Sequence, residues 1–215
     1  MKRVQAITTR ALMSAALAAT AIVVAMPCVQ AQTIIEEWDS VKVPPPPALK
    51  AVKVDPKTTA LIILDLVRPG CNAERRPRCL ASLPKIAKLA ADARSHNVTV
   101  MHTTYTKPED IWPEMAPKAG EPVVVALNDK FINTDLEKTL KDKGLTTVIL
   151  VGTAAHGAVL STGGSAALRG FQVIVPVDGA SAESTFAELS AVWMLANAPT
   201  ISSKVTVTKM DMISY

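Results

Sequence analysis

Asp65 closes the apolar run Ala60 to Leu64 (ALIIL). A carboxylate at the end of a fully apolar strand is costly to bury unless partners compensate it. With a raised pKa it can act as a general acid, whereas as a turn cap it is purely structural. Burial raises such a pKa and a facing helix N-terminus lowers it, and composition alone does not decide between them. The second chemical candidate is VGTAAHGAVLSTGGSAALRG, residues 151–170. Its small residues allow a tight turn, and free N–H groups at a helix start can form an oxyanion site. The same residues would also suit a close helix–sheet contact. No Gly-Lys-Ser/Thr follows, so this is not a phosphate loop, and it lacks dinucleotide-fingerprint spacing. His156 sits inside the turn and reads either as a ligand contact or as a hydrogen-bonded core residue. No Asp/His cluster has metal-ligand spacing, so no metal is expected.

The elements that must position these residues alternate. Strands are predicted at Ala60 to Leu64, Val98 to Met101, Val123 to Ala126, Thr147 to Val151, Val173 to Val175 and Val205 to Thr208. Helices are predicted at Ser82 to His96, Thr134 to Lys143, Ala158 to Arg169 and Phe186 to Ala196. Thr134 with Glu137 three residues on reads as a capping box, and Gly144 as a stop. Continuous apolar strands alternating with helices imply a parallel sheet covered on both faces. Ligands bind such sheets beyond the strand carboxyl ends, where strand order reverses. If the first and fourth of these strands are neighbours there, Asp65 faces the start of the helix after Gly152.

Composition narrows the function classes. The chain has 215 residues, 49% hydrophobic and 20% charged, which excludes a disordered chain. Aromatics at 4% argue against a surface of stacked bases. Lys2, Arg3 and Arg10 precede an apolar run, Ala11 to Met26, and Val29-Gln30-Ala31 follows. This is the pattern of a secretory signal over residues 1–31, too short in its apolar part for a spanning helix. Removing its three positive charges takes the formal net charge from +4 to +1. A nearly neutral body has no electrostatic reason to bind nucleic acid. Export, periplasmic or secreted, is therefore expected, with no membrane attachment after cleavage. Residues 32–55 read as a proline-rich arm, with Pro44 to Pro47 extended. Residues 56–215 form the body. Cys71 and Cys79 flank the polar loop NAERRPR, and an even pair in an oxidising compartment favours a disulfide over a metal site or a catalytic thiol.

Four segments in this order carry a family resemblance: LIILD with Asp65, KFINTDLEKTL with Phe131, Thr134 and Leu136, residues 151–170, and VIVPVDGASA with Asp178. The chain resembles the isochorismatase-like hydrolases, also called cysteine hydrolases, over Lys57 to Thr208. The resemblance implies a Rossmann-like, three-layer α/β/α fold with a six-stranded, mostly parallel sheet, no cofactor, and homo-oligomers. Many members hydrolyse amides with an Asp–Lys–Cys triad, whereas true isochorismatases cleave a vinyl ether and lack the cysteine. Carried over, the acid matches Asp65 and the cysteine position holds Ala158. Counting back six from Phe131 places the family lysine at Val125, and Lys130 is the nearest cation. A non-proline cis peptide is implied at Thr153–Ala154. Thr153, Ala154, His156 and Gly157 are expected on the substrate side, with Tyr105, Trp112, Asn128 and Phe131 as pocket walls. The expected function is an exported hydrolase acting on a small polar molecule, with Asp65 as general acid or base and no thiol nucleophile. The alternative is a catalytically degenerate small-molecule-binding protein on the same scaffold.

Overall fold

The computed structural model describes residues 33–215, so the signal pattern at 1–31 lies outside the described residues. The chain divides into two units at Val43/Pro44. In the first, a short helix α1 (Ile34–Glu37) is capped by Thr33, whose hydroxyl accepts from the Ile35 N–H and whose own N–H donates to Glu36. Its apolar residues Ile34, Ile35 and Trp38 are exposed.

The second unit carries the sheet. Its strands are β1 (Val52–Lys53), β2 (Thr59–Leu64), β3 (Thr99–Thr104), β4 (Val123–Val125), β5 (Thr147–Thr153), β6 (Gln172–Pro176), β7 (Ala180–Ser181), β8 (Val205–Thr208) and β9 (Ile213–Ser214). The helices are α2 (Pro77–Ser95), α3 (Leu136–Asp142), α4 (Leu160–Leu168) and α5 (Thr185–Asn197). Six strands lie side by side in the order β4-β3-β2-β5-β6-β8, all parallel, and β7 pairs with the end of β5. The order reverses between β2 and β5. These two strands are paired from Thr59↔Thr147 to Leu64↔Gly152, so the expected neighbours are neighbours. Beside the sheet, β1 pairs in parallel with β9.

Every residue of β2 is buried, because the sheet is covered on both sides. Ile62 and Leu64 pack into one core with Leu136 and Leu140 of α3, Ala166 of α4 and Leu195 of α5. Leu61 and Ile63 pack into the other with Leu83, Ile86 and Leu89 of α2. The period-2 alternation of a strand thus serves two cores, giving three α/β/α layers. The small residues of α4 are needed for this packing. A Cβ on Gly163 would stand 3.2 Å from Leu195 and 3.4 Å from Leu150, so α4 lies close against both α5 and the sheet.

The helix starts differ from the sequence reading: α4 begins at Leu160 rather than Ala158 and α5 one residue early at Thr185, and two starts have a clear physical reason. α2 begins at Pro77 rather than Ser82, since a proline costs nothing in a first turn that has no carbonyl for its missing N–H. The helix then continues through Pro84. α3 begins at Leu136, and the Thr134–Glu137 capping box does not form. The Thr134 hydroxyl instead donates to the Lys130 carbonyl at 2.5 Å, and Glu137 pairs with Lys141 and Arg169.

A disulfide joins Cys71 to Cys79, and both residues are fully buried. It staples the segment after β2 to the first turn of α2. Replacing both cysteines by alanine should cost about 2–3 kcal/mol, the loop-closure value for so short a loop. Urea unfolding of the oxidised wild type against the Cys71→Ala/Cys79→Ala variant measures this, and an unchanged midpoint would mean that the surrounding packing alone holds the loop.

Candidate active site

β2 ends where its chain must leave the sheet, and Asp65 makes that turn with φ +53°. Aspartate tolerates this left-handed region better than most residues. The Asp65 N–H donates to the Thr103 carbonyl, and its own carbonyl accepts from the Val67 N–H at 2.8 Å. On the neighbouring strand, Gly152 has φ +131°, and a Cβ there would stand 1.9 Å from the Leu64 carbonyl oxygen. Only glycine lets β5 approach β2 so closely at the carboxyl end.

The Asp65 side chain is buried, and each of its oxygens accepts a hydrogen bond. Its Oδ1 accepts from the Thr103 hydroxyl at 2.8 Å, and its Oδ2 accepts from Lys130 Nζ at 2.8 Å. Lys130 is completely buried. Its ammonium spends its other two protons on the carbonyls of Ala126 at 2.8 Å and Leu127 at 2.5 Å. Three acceptors around one Nζ match the three donors of a charged lysine. The loop 126–130 is itself tied down. The Thr162 hydroxyl of α4 donates to the Asn128 carbonyl and accepts from the Lys130 N–H, and Ser165 of α4 bonds to Asp129.

Burial is the strongest influence on Asp65 and pushes its carboxyl above the ordinary value, against the pull of Lys130, Thr103 and Arg76. Burial likewise draws Lys130 below its ordinary value, against the pull of Asp65 and Asp129. The proton affinities of the two groups therefore move towards each other.

Asp65 opens into a pocket of about 180 Å³ walled by Tyr105, Leu127 and Asn128 on one side and by Thr153, Ala154 and Ala158 on another. The Thr153–Ala154 peptide is cis. The Thr153 hydroxyl donates to the Ser181 carbonyl, fixing the end of β5 to β7. A wide π-type turn, Ala155–Val159, then leads into α4. Ala158 is buried on this turn. Gly157 packs near the Asn128 side chain, and His156 is exposed, its Nε2 3.5 Å from a Glu183 carboxylate oxygen.

Three expected placements are corrected. Val125 is at the end of edge strand β4 and is exposed, and the lysine that pairs with Asp65 is Lys130. Lys130 reads as a surface charge in the sequence, but its side chain folds back onto the carbonyls three and four residues earlier. Phe131 is not a pocket wall. It is buried in the α3/α4 core, 6.0 Å from the Phe171 ring and beneath the Arg169 guanidinium. Trp112 is not a wall either, and its Nε1 donates to the Cys71 carbonyl. The sequence reading missed Arg75 and Arg76, which complete the pocket. Their only signal was the position of their loop, directly after Asp65.

Comparison with known proteins gives the family. The isochorismatase domain model matches residues 59–205, more than half of the chain. The chain belongs to the isochorismatase family. A relative, the secreted isochorismatase effector of Verticillium dahliae, is 33% identical over 111 residues, covering 46% of this chain and 58% of its own. The chain thus spans little more than half of that relative's length. Among solved structures, a cysteine hydrolase from Pseudomonas syringae superposes with a TM-score of 0.66 at 17% identity, covering 77% of this chain and 94% of its own. N-carbamoylsarcosine amidase from Thermoplasma acidophilum gives 0.62 at 19% identity, covering 72% and 97%. At these identities the likeness shows the fold. Within this family's fold, the buried Asp65–Lys130 pair stands at a pocket that Ala158 also lines.

Lys130→Met leaves Asp65 buried without its cation and should destabilise the body by about 3–5 kcal/mol at pH 7. The loss should shrink at pH 4, because the isolated carboxyl, its pKa raised further, is then protonated in the folded state and needs no partner. Asp65→Asn combined with Lys130→Met should recover most of the stability. Urea unfolding at the two pH values checks all three statements, and a Lys130→Met loss of under about 1 kcal/mol would mean that the ion pair is not buried.

Proposed function

We propose that the chain is an exported isochorismatase-like hydrolase that adds water to a small polar molecule by acid catalysis, with no covalent enzyme intermediate. The observation that carries this reading is the buried Asp65–Lys130 pair at a pocket also lined by Ala158, the position to which the family resemblance assigns the amidases' cysteine. Alanine cannot form an acyl-enzyme, and Ser161 lies on the next helical turn. Among the family's chemistries, cleavage of a vinyl ether needs an acid and a water but no nucleophilic side chain. A protonated Asp65 gives its proton to the double-bond carbon that does not carry the ether oxygen. The resulting oxocarbenium ion takes up water, and the hemiketal so formed breaks into an alcohol and a carbonyl product, returning a proton to Asp65. Lys130 holds Asp65 in place and steadies its carboxylate after the proton has left. Backbone N–H groups at the head of the Ala155–Val159 turn orient an oxygen of the bound molecule.

Export is supported by the signal pattern at residues 1–31, by the buried disulfide and by the description of the Verticillium dahliae relative as secreted.

Because Asp65 must be protonated to act, kcat/KM on a vinyl-ether panel should fall as pH rises through the apparent pKa of the Asp65–Lys130 pair. Asp65→Asn should lose about 10²–10⁴-fold in rate. The wild type should be inert towards nicotinamide and N-carbamoyl amides, whereas Ala158→Cys, which sets a thiol beside an intact Asp–Lys pair, should gain measurable amidase activity. Amide turnover by the wild type would contradict the reading, as would a failure to turn over any vinyl ether despite ligand-induced thermal stabilisation. The latter result would mark a binding protein.

A further inference from the structure

Arg75 and Arg76 line the pocket that holds Asp65, and the chemistry above uses neither. Both belong to the loop closed by Cys71 and Cys79. They are held in different ways. Arg76 is buried, its Nη1 donating to the Gly70 carbonyl at 3.1 Å and its Nε to Glu183 Oε2 at 3.2 Å. Among the described residues its Nη2 has no acceptor. The Arg75 side chain is exposed and, among the described residues, has no hydrogen bond and no acidic partner. Its backbone is nonetheless fixed, because its N–H donates to Asn72 Oδ1 at 2.8 Å while Asn72 Nδ2 donates to the carbonyls of Arg68 and Pro69. Gly70 leaves room for this arrangement. A Cβ there would stand 2.6 Å from the Tyr105 hydroxyl oxygen and 3.3 Å from Arg76 Nη1.

The charges do not cancel. Asp65 and Lys130 neutralise each other, and Arg76 shares its charge with Glu183 at the rim. Arg75 is left over, so the pocket carries excess positive charge next to the free edge of a second guanidinium. Guanidinium donors match the geometry of a carboxylate better than any other side chain does. The buried disulfide and the Asn72 turn limit the loop's freedom before anything binds, so little order has to be imposed on binding.

We propose that the loop closed by Cys71 and Cys79 is a carboxylate-binding element, with Arg75 and the free edge of Arg76 taking an anionic group of the substrate. The substrate class is then a small carboxylic acid rather than a neutral amide or alcohol. The word substrate rests on the hydrolase reading, but the binding itself does not.

Benzoate and its neutral isostere benzamide test this by calorimetric titration of the full chain. The wild type should bind benzoate at least tenfold more tightly than benzamide, and the preference should weaken as salt is added. Arg75→Gln should lower benzoate affinity about tenfold and leave benzamide unchanged. Arg76→Gln should have at least as large an effect. That variant also cuts the ties to Gly70 and Glu183, so if it fails to fold, Arg75→Gln decides. Equal binding of the two probes, no benzoate binding at millimolar concentration, or full benzoate affinity in Arg75→Gln would each overturn the proposal. If the benzoate preference holds while no vinyl ether is turned over by the wild type, the hydrolase reading falls and the anion site stands.

Discussion

A single buried ion pair organises the carboxyl end of this sheet. Taking a carboxylate and an ammonium out of water costs several kcal/mol per ion, and their attraction repays it only when every remaining donor and acceptor is also satisfied. The surroundings of Asp65 and Lys130 meet that requirement from four separate parts of the chain. β2 delivers the acid, β3 supplies the Thr103 hydroxyl, the 126–130 loop supplies two carbonyls and the lysine itself, and α4 anchors that loop through Thr162. Gly152 allows β5 to close up against the end of β2, beside Asp65. These features act together, because loss of any one would leave a charge or a polar group buried without a partner.

On the proposed reading, an Asp–Lys pair that would prepare a nucleophile beside a thiol has none to prepare beside Ala158 and is left as a source of protons. The pocket walls carry the polar side chains of Tyr105, Asn128 and Thr153 near the acid, and Arg75 and Arg76 complete the lining beside Leu127, Ala154 and Ala158.

Much of this could be read from the sequence, for physical reasons. β2 and β5 are continuous apolar runs because they are buried on both faces, and such runs are hard to mistake when helical periodicity lies between them. Asp65 stood out because an acid ending such a run needs an explanation. The lysine was misplaced because its position depends on the length of the loop after β4. Counting a fixed spacing back from Phe131 reached Val125 on an exposed edge strand, while the residue that reaches Asp65 is Lys130. A lysine next to a buried phenylalanine reads as a solvent charge until the carbonyls of Ala126 and Leu127 are seen to surround it. Phe131 and Trp112 were assigned to the pocket as large side chains near it, and tertiary packing claimed both for the cores. Arg75 and Arg76 were read only as polar filler between two cysteines, because nothing local shows which way a disulfide loop turns its side chains.

The account stands on Asp65 and Lys130 titrating as one buried unit. NMR titration of the Asp65 carboxyl carbon and the Lys130 ammonium nitrogen in the folded protein observes this directly. The expected result is a carboxyl that titrates above its ordinary value of 3.8, with the lysine signal responding in the same step and the lysine itself deprotonating below 10.5. A carboxyl titrating at or below 3.8 with no response at the lysine, or a lysine behaving like one in water, would contradict the account.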